Sequence, residues 1–306
     1  MNVKLLKYAL LVFLGACSYG VLSSIIKLGF NAGFAMQELV GAQYFLGWCL
    51  FFLLTLLFSR KKLGLKTAVS LLAAGITISI TGIFYGFAVE QLPASLAVVL
   101  LFQFTWIGVI LESVVERTFP SREKRVSIVI LIVGTLLAGG VFEPSEGDVT
   151  TNGILFGLVS AVSFAVYIFV SGKVATQVPV MNKSLYMMTS AMLVVMLVFS
   201  PSFIYNGAIS NGLWKFGIPL ALLGTVIPVL FFSISVPRLG SGLGTILGAA
   251  ELPAAVVASV LILQEQVSAL RWVGIAVVLI GIATPQVLPM LRTKDSPKAS
   301  LQKAEI

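Results

Sequence analysis

Glu251 is the residue of this sequence with the clearest potential for chemistry, because it interrupts a long apolar stretch that runs from Leu239 to Gln264. Charged side chains inside such a stretch are costly to bury in a membrane, and acids found there usually serve a function. Pro253 follows two residues later, removes a backbone donor and predicts a local break in the helix. We therefore expect Glu251 to contact a substrate or to exchange a proton. A protonated Glu251 that only links two helices by a hydrogen bond is the alternative.

Hydroxyl and aromatic residues recur at helical spacing in several other apolar stretches. Tyr19 and Ser23 are four residues apart in the first stretch, and Thr81 and Tyr85 repeat this spacing in the third. Side chains four residues apart share one face of a helix. We expect these faces to line a central cavity together with residues from other stretches. The further residues expected there are Gln103, Trp106, Ser163 and Tyr167, with Pro253 beside Glu251. For any single serine or threonine, an interhelical hydrogen bond is the alternative.

The composition identifies the elements that must hold these side chains. Of 306 residues, 58% are hydrophobic and 10% are charged, whereas soluble domains carry about 25% charged residues. The mean hydropathy is +1.05. The chain is therefore expected to be an all-α integral membrane protein, which excludes a cytosolic enzyme, a nucleic-acid binder and a secreted protein. About 20 apolar residues cross a bilayer as a helix. The ten expected spans are Tyr8–Ile26, Leu39–Ser59, Thr67–Val89, Gln91–Leu111, Val126–Phe142, Val149–Gly172, Ser184–Trp214, Phe216–Pro237, Leu239–Gln264 and Trp272–Leu291.

Several kinds of site are not supported by the sequence. Histidine is absent, and Cys17 and Cys49 both lie in apolar stretches, so we expect neither a metal site nor a cofactor. No nucleotide-binding loop is present, which indicates that the chain does not hydrolyse ATP. Motifs of intramembrane proteases and of nucleophilic hydrolases are missing too, so the chain is not expected to be an enzyme.

The basic residues predict the orientation in the membrane. With the N terminus in the cytoplasm, only Lys27, Lys215 and Arg271 among the 20 lysines and arginines fall on the outside. Basic loops of membrane proteins concentrate on the cytoplasmic side. We therefore expect a multi-pass protein of the cell membrane with both termini in the cytoplasm. The net charge of +8 is explained by loops that lie against an anionic leaflet, without a nucleic-acid partner.

An internal repeat is visible at an offset of 147 residues, at which Ile80 aligns with Ile227, Phe84 with Phe231 and Leu96 with Leu243. Each half then holds five helices, and an odd number inserts the second half in the opposite orientation. The sequence thus predicts two inverted five-helix repeats, residues 1–148 and residues 149–292. A cytoplasmic tail, residues 293–306, is polar and is expected to be disordered.

Nearly the whole chain resembles the EamA-like family of the drug/metabolite transporter superfamily. The resemblance rests on Ser18-Tyr19-Gly20 and Lys27, on Ser163-Phe164-Ala165 and Lys173, and on Gly240-Ser241-Gly242-Leu243, Glu251-Leu252-Pro253, Glu265, Trp272, Gly274 and Gly281. The chain departs from the family pattern at Trp106, which stands opposite Pro253 where the family tends to have a second proline. The two halves are therefore not expected to line the pathway in the same way.

This resemblance implies a secondary transporter of small organic metabolites, such as amino acids, their derivatives or drugs. It implies export by alternating access without ATP, with a small-molecule substrate, the lipid bilayer as surroundings and the proton as a candidate coupling ion. An intramembrane enzyme or a lipid flippase is the alternative. That alternative requires a second catalytic group facing Glu251, and the sequence offers none.

Overall fold

The computed structural model describes residues 3–59, 62–92, 94–142, 150–264 and 266–294, and these residues contain helices and no strand. Lipid offers no hydrogen-bond partners to backbone N–H and C=O groups, so apolar stretches that cross it form helices, as expected. The helices are α1 (Val3–Asn31), α2 (Met36–Phe58), α3 (Leu65–Gln91), α4 (Ala94–Leu101), α5 (Phe104–Glu116), α6 (Arg122–Ala138), α7 (Thr151–Lys173), α8 (Val180–Phe199), α9 (Trp214–Ala221), α10 (Ile227–Leu239), α11 (Ser241–Gly248), α12 (Glu251–Leu263) and α13 (Ala269–Lys294). Glu265 and most of the expected tail, residues 295–306, lie outside the described residues.

Eight helical segments of the described residues are long and apolar enough to cross a membrane. They are Leu5–Asn31, Met36–Phe58, Leu65–Val89, Leu96–Glu116, Thr151–Lys173, Val180–Phe199, Ile209–Leu239 and Ser241–Leu263. The expectation of a multi-pass, all-helical membrane protein is confirmed. Helix α6 and the apolar segment Ala269–Pro285 of α13 are shorter. The ten-span arrangement therefore stays a prediction.

The seventh expected span, Ser184–Trp214, is wrong as a single helix. Helix α8 ends at Phe199, and a π-helical turn begins only at Ile209. Ser200 has a left-handed backbone with φ of 50°, and Pro201 follows it. A left-handed residue before a proline stops a helix, because neither continues the backbone hydrogen-bond ladder. The lack of charge over this stretch concealed the interruption.

The first helix packs mainly against helices from the other end of the chain. Helix α1 lies along α10 and α12, while α3 lies along α7 and α8. At Gly20 the backbones of α1 and α12 approach so closely that a Cβ atom there would collide with the backbone oxygen of Glu251. Helices α6 and α13 pair with each other. The N-terminal and C-terminal halves are thus interleaved and share one core.

Two of the membrane segments are broken near their middle. One break, at residues 102–103, separates α4 from α5, and the other, at residues 249–250, separates α11 from α12. The two breaks are 147 positions apart, which is the offset of the sequence repeat. Three backbone hydrogen bonds recur at this offset. They are Gln103 to Leu100, Thr105 to Phe102 and Ile107 to Gln103 in the first break, and Ala250 to Leu247, Leu252 to Ala249 and Ala254 to Ala250 in the second.

The first break forms without a proline because side chains replace the missing backbone bonds. The N–H of Gln103 donates to Leu100, so the carbonyl of Val99 loses its regular backbone partner. The side-chain amide of Gln103 donates to this Val99 carbonyl at 2.7 Å. The indole N–H of Trp106 in turn donates to the Gln103 amide oxygen at 2.7 Å. The absence of a proline at Trp106 therefore does not make the backbone differ from that of the second break.

Candidate functional site

A cavity of about 150 Å³ lies at the middle of the helical bundle. Its wall comes from both halves of the chain and is mostly apolar and aromatic. The wall residues are Tyr19, Gly20, Leu22, Ser23, Ile26, Met36, Val40, Gln43, Tyr44, Ile78, Thr81, Gly82, Tyr85, Val98, Leu101, Phe102, Phe164, Tyr167, Gly224, Glu251 and Ala255. On α1, α2 and α3 they occupy the halves that lead to the Asn31–Met36 connection and to Gln91. The cavity thus extends from mid-depth toward that end of the bundle.

Glu251 is the only charged side chain among the described residues of the cavity wall. It is the first residue of α12, directly after the second break, and it is half-buried. Its side chain shares the cavity wall with the phenol rings of Tyr19 and Tyr85. No ion pair to Glu251 is found within the described part of the chain. The carboxylate is therefore available to a solute in the cavity.

The other polar groups of the wall differ in how far they are satisfied. The hydroxyl of Tyr44 donates to the carbonyl of Ile78 at 3.1 Å. The amide of Gln43 donates to the carbonyl of Gly224 at 3.3 Å. The hydroxyl of Tyr167 is buried and makes no hydrogen bond of good geometry with any described residue. Since buried hydroxyls are usually paired, this hydroxyl is a second group that a bound solute could satisfy.

An aromatic layer closes the cavity on the side away from the Asn31–Met36 connection. The layer consists of Tyr19, Phe104, Phe164, Tyr167 and Phe232. Its ring centroids are 4.6 Å apart for Phe104 and Phe164, 5.8 Å for Tyr19 and Phe164, and 6.3 Å for Tyr167 and Phe232. Phe232 packs at the level of Gly15, nearer to the N-terminal end of α1 than Tyr19 is. Tyr167 and Phe232 are stacked and the other two pairs are edge to face, and both arrangements pack favourably at these distances.

A polar cluster ties three helices together beyond this layer, and we call it the Glu112 cluster. It consists of Glu112 on α5, Lys124 on α6, and Ser241 and Gly242 on α11. Glu112 forms an ion pair with Lys124. The backbone N–H of Gly242 donates to Glu112 at 2.9 Å, and the Ser241 hydroxyl donates at 3.2 Å. Glu112 is almost fully buried, so these bonds replace the hydration that its carboxylate has lost.

The structure brings together six of the ten residues that the sequence analysis expected at the site. The six are Tyr19, Ser23, Thr81, Tyr85, Tyr167 and Glu251. The remaining four are not part of the cavity wall. Gln103 and Trp106 stabilise the first break, and the hydroxyl of Ser163 donates to the carbonyl of Thr77 at 2.8 Å. Pro253 is buried in the first turn of α12, where its missing N–H costs little, and the break itself lies before it at residues 249–250.

Sequence reasoning missed the contribution of α2 to the wall. Met36, Val40, Gln43 and Tyr44 all face the cavity. Gln43 and Tyr44 are adjacent polar residues in an otherwise apolar stretch, which is the signal that could have identified them. Neither residue has a second hydroxyl or amide side chain four positions away on α2, so helical spacing does not point to them.

Comparisons with known proteins agree with this fold. The family model of the EamA-like transporter family, within the drug/metabolite transporter superfamily, matches residues 151–284. One solved crystal structure superposes with a TM-score of 0.71 at 17% sequence identity, covering 93% of this chain and 99% of that chain. At this identity the likeness shows the fold alone. No curated protein matches the chain.

Proposed function

We propose that this chain is a secondary carrier of small organic metabolites, because residues 151–284 match the family model of the EamA-like transporter family. It moves amino acids, their derivatives or drugs outward across the cell membrane, by alternating access and without ATP. The observation that carries this proposal is the central cavity around Glu251, to which both halves of the chain contribute. A binding site near mid-depth between two halves is what an alternating-access carrier needs.

The two ends of the bundle differ as alternating access requires. Toward the Asn31–Met36 connection the cavity continues along α1, α2 and α3. Toward the other end, the aromatic layer and the Glu112 cluster fill the bundle. If both termini are cytoplasmic, as the distribution of basic residues indicates, the Asn31–Met36 connection lies outside. The conformation described here is then the outward-facing one.

Two inverted five-helix repeats, residues 1–148 and 149–292, are part of this proposal. The matching breaks at residues 102–103 and 249–250 support them, as does the reciprocal packing of α3 with α7 and α10 with α1. A broken helix can bend at little cost, because its backbone bonds are already interrupted. The breaks are therefore the places where helices would pivot when the cavity changes sides.

Transport assays in vesicles test this function against its rival. Purified protein in liposomes should accelerate the movement of at least one solute from a panel of amino acids, amines and drug-like metabolites. Protein-free liposomes provide the baseline, and fluorescent phospholipids report flipping in the same vesicles. If no solute moves while a lipid is flipped or modified, the carrier proposal fails and the lipid flippase or intramembrane enzyme takes its place.

A further inference from the structure

We propose that the cavity selects organic cations: solutes with one positively charged nitrogen on an apolar or aromatic body, and no carboxylate. The nitrogen binds beside Glu251 and against the tyrosine rings around it. This inference rests on the proposed function, because it assigns a chemical class to the solute of the same cavity. It narrows the expected range of amino acids, derivatives and drugs to its cationic members.

The charge of the wall is the first argument. Among the described residues of the wall, Glu251 carries a charge and no lysine or arginine accompanies it. Lys27, which follows the wall residue Ile26 on α1, does not belong to the wall. An anion would face an uncompensated carboxylate in a site of low dielectric constant, which repels like charge strongly. A cation would instead supply the partner that Glu251 does not find among the described residues.

The rings around the carboxylate are the second argument. Tyr19 and Tyr85 line the same cavity as Glu251, and the rings of Tyr19 and Phe164 pack edge to face at 5.8 Å. Aromatic faces attract ammonium groups, and this attraction grows when water is excluded. Val40, Ile78 and other apolar wall residues favour an apolar body behind the charged group.

The difference between the two halves is the third argument. At the offset of 147 residues, the position of Glu251 corresponds to Phe104 in the first half. Phe104 packs against Phe164 with centroids 4.6 Å apart and contributes no charge. The cavity therefore offers one carboxylate, which matches one positive charge. A zwitterionic amino acid would leave its own carboxylate without a cationic partner in the wall.

Binding of three para-substituted phenols to the purified protein tests the charge preference directly. The probes are 4-hydroxyphenyltrimethylammonium, the neutral 4-tert-butylphenol and the anionic 4-hydroxybenzoate, measured by calorimetry in detergent. The quaternary nitrogen of the first probe keeps its positive charge at every pH. We expect the cation to bind at least about tenfold more tightly than the other two. Equal binding of the three probes, or failure of the cation to bind, would overturn the proposal.

Variants then locate the preference at Glu251. Glu251→Gln should weaken binding of the cation about thirtyfold or more and leave the neutral probe unchanged. Glu116→Gln is the matched control, because Glu116 is exposed and outside the cavity wall, and it should bind like the wild type. A cation affinity that survives Glu251→Gln contradicts the inference. The wild-type ranking of the probes tests it even if this variant does not fold.

The outcomes separate this inference from the function on which it rests. Transport of neutral or anionic solutes from the vesicle panel, without a preference for the cation, refutes the substrate class and leaves the carrier intact. Selective binding of the cation without movement of any solute supports the ligand class and refutes the carrier.

Discussion

Glu251 and Gly20 are in contact where α1 packs against the second helix break. The side chain of Glu251 faces the cavity, while its backbone packs against α1. This arrangement fixes the position of the carboxyl group relative to Tyr19. Because the backbones of α1 and α12 are in close contact there, the carboxyl group is not an isolated charge on a flexible helix. Substitutions that keep the shape of the Glu251 side chain therefore test the role of its charge without disturbing this packing.

Glu251→Gln should flatten the pH dependence of transport, because the amide preserves size and much of the hydrogen bonding but cannot exchange a proton. In the wild type, an imposed proton gradient should change the rate of solute movement. In the variant this response should disappear, while folding and abundance stay the same. Initial rates in vesicles between about pH 5.5 and 8 measure the effect. An unchanged response would leave Glu251 as a structural hydrogen-bonding residue.

Two tyrosines of the wall provide a matched pair of hydroxyl deletions. Tyr44→Phe removes a hydrogen bond to Ile78 and should lower the free energy of unfolding by about 0.6 kcal/mol. Tyr167→Phe removes a buried hydroxyl without a well-formed bond, so stability should be unchanged or slightly higher. If the Tyr167 hydroxyl binds the solute, Tyr167→Phe should raise the KM for transport severalfold. Thermal unfolding and KM together separate the two roles; equal loss of stability in both variants would contradict this assignment.

Helical periodicity in the sequence predicted residues that line the cavity on unbroken helices, but not which residues lie at a helix break. Tyr19, Ser23, Thr81 and Tyr85 were found because each pair shares a face of an unbroken helix. Gln103 is polar for a different reason, since its amide replaces a backbone donor at a break. A sequence does not reveal whether a buried polar side chain lines a cavity or replaces a backbone donor at a helix break.

At the scale of elements, the apolar stretches predicted most helices and missed two features. The end of α8 at Phe199 was hidden because the following loop carries no charge. The break between α4 and α5 was hidden because it contains no proline. In both places local backbone hydrogen bonding, rather than hydropathy, determines where the helix stops.

The ion pair of the Glu112 cluster should stabilise the protein more than the Lys173–Glu116 ion pair, which also involves α5. Lys124→Met leaves Glu112 buried and without its cation, which should cost about 2–3 kcal/mol of unfolding free energy. Lys173→Met breaks the Lys173–Glu116 pair, which is much more exposed, so the cost should stay below about 1 kcal/mol. Denaturation of both purified variants under the same conditions measures the difference. Equal costs would contradict the assignment of different strengths to the buried Glu112 pair and the exposed Glu116 pair.

The whole molecule is organised by contacts between the halves rather than within them. Helices α1 and α3 both find their principal partners beyond residue 150. A fragment that contains only the first half would expose the faces that α1 and α3 bury against α7, α8, α10 and α12. The odd number of expected spans predicts that the halves are inverted, but it does not predict this interleaving, because sequence position does not reveal which helices are neighbours.

Orientation in the membrane is testable with two single cysteines in a background where Cys17 and Cys49 are replaced by alanine. Asn31→Cys, near the Asn31–Met36 connection, should react with an impermeant thiol reagent added to intact cells. Lys62→Cys, in the connection between α2 and α3, should react only after the membrane is opened. The reverse pattern would invalidate the cytoplasmic location of the termini and the outward-facing assignment.

The interleaving of α1 with late helices also affects how the protein is made. The hydroxyl of Ser18 donates to the carbonyl of Leu223, 205 residues further along the chain. At about 5–20 residues per second, a ribosome needs about 10–40 s to synthesise that length. During this interval α1 has left the ribosome without its partners, and its polar groups must be sheltered by lipid headgroups, water or the insertion machinery. Assembly of the cavity is therefore among the last events of biosynthesis.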